Sequence, residues 1–594
     1  LAQKDSVQIL IAGPAGSGNI TSGVVIARIM HFMGYDVIGV SEYPSIIRGG
    51  HTAYWVRGGV EKIYELVRIS DYVVTFDEET YNRQEKDFGE NTLVLYDPEV
   101  VKKEPPRGIK LELPLKKLLR EHKLKPITMN MIAVGALSSL LGLPVEYMKK
   151  SIEYQFKGKK EVIEENIKAA MIGYEYIASK PLPIDTPRLK SPINKKEPRI
   201  ILTGNEAIAT GFVKADLRLY VAYPMTPASP ILHFMVRMMK EKNIPVIQAE
   251  SEIAAAQMAL AATWTGVRAA TGTSGGGFAL MNETLSEAGM FELPLIIVLA
   301  MRPGPSTGMS THSAQGELLY SLFAGHGEYP RIVVAPADQG DAYYRAIEVL
   351  NLGWKYRVPG IILIDKHMAE SIRSVPAFSE EVKLEYGALI PKEKAEEMIR
   401  NGWKFLPYEI TDRAVPPWVP PGTRGAIVKS DSSEHDERGI VTEHPVIASK
   451  QYSRRMKKEE LLRKELEEKY EVMRIYGHRP EDADAVILTW GSAAWAALEA
   501  NKIVEKKGYK LSIIQIIYLW PFPRSKFIGA ISNAMDKPIV TVEYNYRGQL
   551  GLLVKMETGI NTSTHIGKID GRPFRAEDLA SKIIDFLTSR RVKR

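Results

Sequence analysis

Three times along this chain, short apolar runs alternate with helix-length windows, and that alternation limits the fold more than any other feature. In residues 1 to about 180 the runs VQILIAG, DVIGVSEY, DYVVTFD and TLVLYD are separated by stretches such as TSGVVIARIMHFMG. From IILTGNEAIATGFVKA to about GIILIDKHMAE the pattern returns with LYVAYP, PVIQAE, LPLIIVLA and RIVVAPA. A third segment starts at DADAVILTWGS (Asp482–Ser492) and continues through YKLSIIQIIYLWPFP to KPIVTVEYNYRGQLG. Alternation of this kind predicts open, mostly parallel sheets flanked by helices, so the expected class is multidomain α/β. The expected divisions are an α/β domain over 1–180, a proline-rich linker over 181–198, a second α/β domain over 199–372, an irregular connection with a charged helix over 373–481, and a third α/β domain over 482–594. A length of 594 residues suits about three or four domains.

Composition narrows the function classes. The chain has no cysteine, which excludes disulfides, a thiol nucleophile, a thiolate zinc site and a cysteine-ligated iron–sulfur cluster. That fits a cytoplasmic protein and, weakly, a hot-living source. A net charge of +7 is small beside 78 basic and 71 acidic residues. The two signs are interleaved, as in RRMKKEELLRKELEEKYEVMR from Arg454, which reads as a solvated helix and not as a nucleic-acid footprint. No apolar run approaches the ~20 residues that span a bilayer, and no signal peptide is expected.

The first strand runs into the glycine-rich ILIAGPAGSGNITSG. Gly13 and Gly18 have P-loop spacing, but Asn19 and Ile20 stand where Lys and Ser/Thr would reach phosphate and magnesium. The dinucleotide fingerprint fails as well, because Thr21 replaces its third glycine. What remains is either a tight strand-to-helix turn or a weak anion cradle at a helix start.

Four stretches of the middle segment carry chemistry together. YPMTP (Tyr223–Pro227) fixes a rigid turn around Thr226, and ESEIAAAQMALAAT (Glu250–Thr263) sets two carboxylates before a small-residue helix. TGTSGGGFALMNE (Thr271–Glu283) is a glycine-rich turn, and MRPGPSTGMSTH (Met301–His312) leaves a strand with an Arg. Each has a bland explanation alone: a turn, a favourable helix-start charge, a close packing face. All four fall at or just after strand C-terminal ends, where open α/β sheets bind ligands.

YPMTP, the ESE stretch with its small-residue helix, and RPGPSTGMST closely resemble the 2-oxoacid:ferredoxin oxidoreductases. Their order and spacing resemble the archaeal type of α subunit, in which γ and α portions are fused. SEYPSIIRGGHTAYWVR (Ser41–Arg57) looks like the γ-domain RGGH region, and GPAGSGN sits at its glycine turn, with Asn19 where Gln is commoner. SSEHDERGIVTEH, LTWGSAAWAALEA, LWPFP and VEYNYRGQLG resemble the later domains.

The resemblance implies a γ-like domain, a thiamin-diphosphate pyrimidine-binding domain and a transketolase C-terminal-like domain. It implies oxidative decarboxylation of a 2-oxoacid (pyruvate, 2-oxobutyrate or 2-oxoglutarate) to an acyl-CoA, with coenzyme A as co-substrate and electrons passing to ferredoxin. Glu252 is then the carboxylate on N1′ of the aminopyrimidine, favouring the tautomer that deprotonates the thiazolium C2. Thr226 touches the substrate or cofactor, Arg302 binds the substrate carboxylate and Thr311 adds a polar contact. Tyr223, Pro224, Met225 and Pro227 line the cofactor, Met225 standing where Ile is commoner. No GDG stretch for the diphosphate is present; KIDGRP (Lys568–Pro573) lacks a following Asn. A β subunit carrying magnesium, the diphosphate site and a [4Fe–4S] cluster is therefore implied. The rivals are an indolepyruvate-type relative and a non-catalytic thiamin-fold scaffold or regulatory subunit.

Overall fold

The computed structural model describes residues 2–46, 49–182, 186–192 and 197–592. Arg48, within the RGGH region, lies outside the described residues. Three large sheets and a two-stranded ribbon are flanked by helices, as the alternation predicts.

The first sheet has eight strands and is only half parallel. Ser6–Pro14, Tyr72–Thr75, Leu93–Tyr96 and Ile109–Glu112 run parallel, whereas His51–Gly59 inserts antiparallel between Ser6–Pro14 and Asp36–Glu42. The eight residues between Glu42 and His51 are too few for a parallel crossover, which takes a dozen or more, so a hairpin results. This hairpin is the antiparallel exception in a segment whose alternation reads as a parallel α/β sheet.

The divisions by residue number are crossed by hydrogen bonds. Arg199–Thr203 and Ile372–Pro376, at the two ends of the middle segment, pair with each other and complete the first sheet through Asp36–Glu42. Within the expected linker, Pro187–Leu189 pairs with Ala2–Lys4. Tyr518–Trp520, which runs into LWPFP, adds antiparallel to Ile332–Val334 of the middle sheet. The third sheet gains Met473–Gly477, ahead of its expected start.

The helix Pro445–Lys469 is not simply solvated: Arg454, Arg455 and Lys458 are buried. Arg454 and Lys458 both pair with buried Glu292. Burial alone would push the Glu292 carboxyl up, but the two cations outweigh it and hold it well below the usual range. Among the described residues no helix is long and apolar enough to cross a membrane.

The middle sheet positions the site. Its order is Val246–Gln248, Leu219–Ala222, Ala269–Thr273, Ile296–Met301, Gly360–Asp365, Ile332–Val334, all parallel, with Tyr518–Trp520 at the edge. The four strands that precede the four chemical stretches are therefore consecutive neighbours, and their C-terminal ends share one edge.

Candidate active site

The YPMTP turn is built by its own backbone and by a helix behind it. Met225 C=O accepts the N–H groups of Ala228 and Ser229 at 2.9 and 3.1 Å. Buried Asn205 donates from Nδ2 to Pro227 C=O at 2.9 Å. Asn205 is held in place because its helix, Gly204–Lys214, starts with a reciprocal cap: Thr203 Oγ1 accepts Glu206 N–H at 3.2 Å and the Glu206 carboxylate accepts Thr203 N–H at 2.9 Å. Tyr223 is exposed, Pro224, Met225 and Thr226 are partly buried, and Pro227 is buried.

The two carboxylates of the ESE stretch separate. Ser251 caps the helix Glu252–Trp264, its Oγ accepting Ala254 N–H at 3.2 Å. Glu252 thus sits in the first turn, where the helix dipole favours an anion, and is only 4% exposed. Glu250 is exposed.

These parts close into a ring. A methyl group on Gly277 would collide with Thr273 Oγ1 and come within 2.6 Å of Glu252 Cγ, so this glycine is what lets the Glu252 side chain lie against the turn. Thr273 Oγ1 stands 3.9 Å from Met225 Sδ. One residue on, Thr226 C=O accepts a hydrogen bond from Arg302 Nη1 at 2.9 Å. Burial lowers the Arg302 pKa and the nearby Glu317 opposes that shift. Glu317 in turn lies against Gly275, where an added methyl would stand 2.7 Å from its Oε1.

Glu317 was invisible to sequence reasoning; it follows MRPGPSTGMSTHSAQG with no motif to mark it. Its carboxyl is pushed up to about 7 by burial, with Arg302 pulling the other way too weakly to restore it. Five buried side-chain oxygens in and just after these stretches have no hydrogen-bond partner: Glu252 Oε1, Thr271 Oγ1, Ser274 Oγ, Asn282 Oδ1 and Glu317 Oε2. Each such atom costs roughly 1–3 kcal/mol, so a cluster of them marks a place built for another molecule.

Thr311 is less central. It is buried, and its Oγ1 lies 3.3 Å from His312 Nδ1. The loop carrying it turns toward the third domain, where Ser313 N–H bonds Gly571 C=O at 2.9 Å. Gln315 fastens the loop's far end, donating to Trp490 C=O at 3.0 Å and accepting Tyr544 N–H at 3.0 Å. Asp365 bridges the same seam, accepting from Ser313 Oγ at 3.2 Å and Ser492 Oγ at 2.6 Å. The WGS and VEYNY stretches of the third domain thus clamp the segment that carries Arg302 and Glu317.

The first-domain glycine turn is closed on itself. Buried Asn19 donates from Nδ2 to the carbonyls of Gly13, Thr52 and Pro14 at 3.1, 3.2 and 3.4 Å. The tight-turn alternative accounts for these contacts.

Comparison with known proteins gives a consistent picture. Residues 210–454 match the family described as pyruvate flavodoxin/ferredoxin oxidoreductase, thiamine diphosphate-binding. Residues 8–176 match pyruvate ferredoxin/flavodoxin oxidoreductase, and residues 483–579 match core domain II of pyruvate:ferredoxin oxidoreductase. The α subunit of the 2-oxoacid:ferredoxin oxidoreductase of Saccharolobus solfataricus is 32% identical over 97% of this chain and 96% of its own length. The α subunit of the second such enzyme of Aeropyrum pernix is 28% identical over 97% of both chains. In structure, the 2-oxoglutarate:ferredoxin oxidoreductase from Magnetococcus marinus, solved with 2-oxoglutarate, coenzyme A and succinyl-CoA bound, superposes with a TM-score of 0.89 at 29% identity, covering 98% of this chain and 100% of that one. With a γ-type region, a thiamin-diphosphate-binding region and a core-domain-II region in one polypeptide, the chain belongs to the 2-oxoacid:ferredoxin oxidoreductase family, as an α subunit with fused γ and α portions.

Proposed function

We propose that this chain is the large subunit of a coenzyme A-acylating 2-oxoacid:ferredoxin oxidoreductase and forms the pyrimidine half of a shared thiamin diphosphate site. The observation that carries the proposal is Glu252 Oε1, buried and without a partner, in one ring with Thr226 and Arg302. An aminopyrimidine nitrogen can hydrogen-bond to that oxygen, so the residues suit the cofactor. Bound there, thiamin diphosphate supplies the electron sink for decarboxylation. Glu252 holds the proton shared with N1′ of the ring. Tyr223, Pro224, Met225 and Pro227 form the wall beside it. Arg302 orients the substrate carboxylate with the N–H groups not used on Thr226, and Thr226 and Thr311 add polar contacts.

The cluster must come from elsewhere, because the chain has no cysteine. We assign the [4Fe–4S] cluster, magnesium and the diphosphate site to a smaller β subunit, ferredoxin to the role of electron acceptor, and the complex to the cytoplasm. A scaffold role is disfavoured by the retention of both a buried acid and an arginine in one ring of contacts.

The test is reconstitution. The chain alone should be colourless and inactive, and with its β subunit it should reduce viologen using coenzyme A and one of pyruvate, 2-oxobutyrate or 2-oxoglutarate. Arg302→Ala in that complex should lower kcat/KM for every 2-oxoacid by roughly 30- to 4,000-fold, the range for truncating one partner of a desolvated charge pair at about 2–5 kcal/mol. Unchanged kinetics across the substrate panel would sink the assignment.

A further inference from the structure

We propose that His51, Asp77 and Glu79 form a binding site for a first-row divalent metal ion in the γ-like portion, outside the ring of contacts around Glu252. The RGGH stretch that resembles the family ends in this histidine, and the function proposed above does not use it.

The placement follows from the sheet. Ser6–Pro14 lies between His51–Gly59, with Pro14 opposite His51, and Tyr72–Thr75, with Ala12 opposite Thr75. His51 and Asp77 therefore meet over the C-terminal end of Ser6–Pro14, at the point where parallel pairing changes to antiparallel. Among the described residues, these three form the one group of His, Asp and Glu whose candidate ligand atoms all lie within 4.8 Å of one another.

The hydrogen bonding leaves a gap between ligand atoms. His51 is 6% exposed, and its Nε2 lies 3.1 Å from Gln84 Oε1. With its Oε1 turned to the ring, Gln84 accepts from Nε2–H, and in that tautomer Nδ1 presents a lone pair. Nδ1 has no hydrogen-bond partner and faces Asp77 Oδ2 at 3.5 Å. Asp77 Oδ1 is already taken by Thr80, through N–H at 3.0 Å and Oγ1 at 2.9 Å, which fixes the carboxylate and leaves Oδ2 free. Two facing lone pairs repel unless a positive charge lies between them. Ligands at ~2.1 Å on a tetrahedral ion stand about 3.4 Å apart, close to the spacing seen. Gln84 and Thr80 are then the outer partners that orient the histidine and the carboxylate. Imidazole with two carboxylates suits Zn(II) and its first-row neighbours better than calcium or magnesium.

The rival occupant of the gap is a proton, making an ion pair of His51 and Asp77. Titration calorimetry of the full chain with Zn(II), and the visible spectrum with Co(II), separate the two; without cysteine, no thiolate band can obscure the cobalt signal. The expected result is one equivalent of Zn(II) bound, with His51→Gln and Glu79→Gln each weakening it by more than the ~10–100-fold typical of losing an outer partner. Glu79 is exposed, so its variant tests the site even if His51→Gln fails to fold. No Zn(II) binding by the parent chain, or parental affinity in Glu79→Gln, would overturn the proposal.

Discussion

Two glycine-rich turns in this molecule look alike in sequence and behave oppositely in structure. Both follow an apolar strand and both open a helix. At Gly13–Gly18 the turn's polar groups mostly find partners within the domain: Asn19 donates to three carbonyls, Ala15 N–H bonds Gly50 C=O at 2.8 Å, and Asn130 Nδ2 reaches Gly18 C=O at 3.3 Å. One buried oxygen there, Asn19 Oδ1, lacks a partner. Around Gly275–Gly277 the space is lined by Glu252 and Glu317, and five buried oxygens in and just after the neighbouring stretches lack partners. Glycine allows a close approach; the satisfaction of the surrounding polar atoms shows whether a ligand is meant to approach. That is the difference between a turn and a site.

The largest effect should come from Glu252→Gln. The amide still contacts a ring nitrogen but cannot share its proton, so turnover of the reconstituted complex should fall by about 10²–10⁴-fold while thiamin diphosphate still binds. Slow C2–H exchange in the variant complex checks the step affected. Exchange at the parental rate would move the role to another group.

Next is Gly277→Ala, in which the new methyl must displace Thr273 or Glu252. A displacement of about 1 Å at a reacting group can cost on the order of 10²-fold, so kcat should drop with little change in melting temperature. Equal activity would show that the Glu252 side chain is not held by this contact.

A smaller, pH-dependent effect is expected at Glu317. Its carboxyl, pushed up to about 7 by burial, is neutral below that pH and anionic above it. The anion competes with the substrate carboxylate for Arg302, so KM for the 2-oxoacid should rise as pH passes 7, and Glu317→Gln should flatten the profile. The same shift bears on stability. A raised carboxyl pKa means the folded chain binds more protons than the unfolded one between the ordinary glutamate range and about 7, so its contribution falls as pH rises through that window. Thermal melts of parent and Glu317→Gln from pH 5 to 8 should converge at the acid end.

The smallest effect should be Gly16→Ala. Its φ of +94° strains any side chain, although an added methyl meets nothing within 4 Å. A cost of about 1–2 kcal/mol in stability, read by denaturant unfolding, should come with parental kcat and KM. A loss of catalysis would give the first turn a role its contacts do not suggest.

What the sequence determined by itself is local. Apolar runs of strand length, and proline and glycine at strand ends, act within a few neighbours, so the α/β class and the four chemical stretches were legible; the grouping of Glu252, Thr226 and Arg302 came through the family resemblance of those stretches. The eight-residue connection before His51 also carried the signal for a hairpin, although the alternation pointed to a parallel sheet. Other features depend on partners hundreds of residues away. Lys458 reads as a solvent-facing lysine until Glu292 is beside it, and Glu317 reads as a loop residue until Arg302 and Gly275 surround it. Arg199–Thr203 and Ile372–Pro376 read as parts of the middle domain until they pair at the edge of the first sheet. Desolvation, long-range pairing and the matching of one buried charge to another exist only once the chain has closed on itself, and only the tertiary structure decided them.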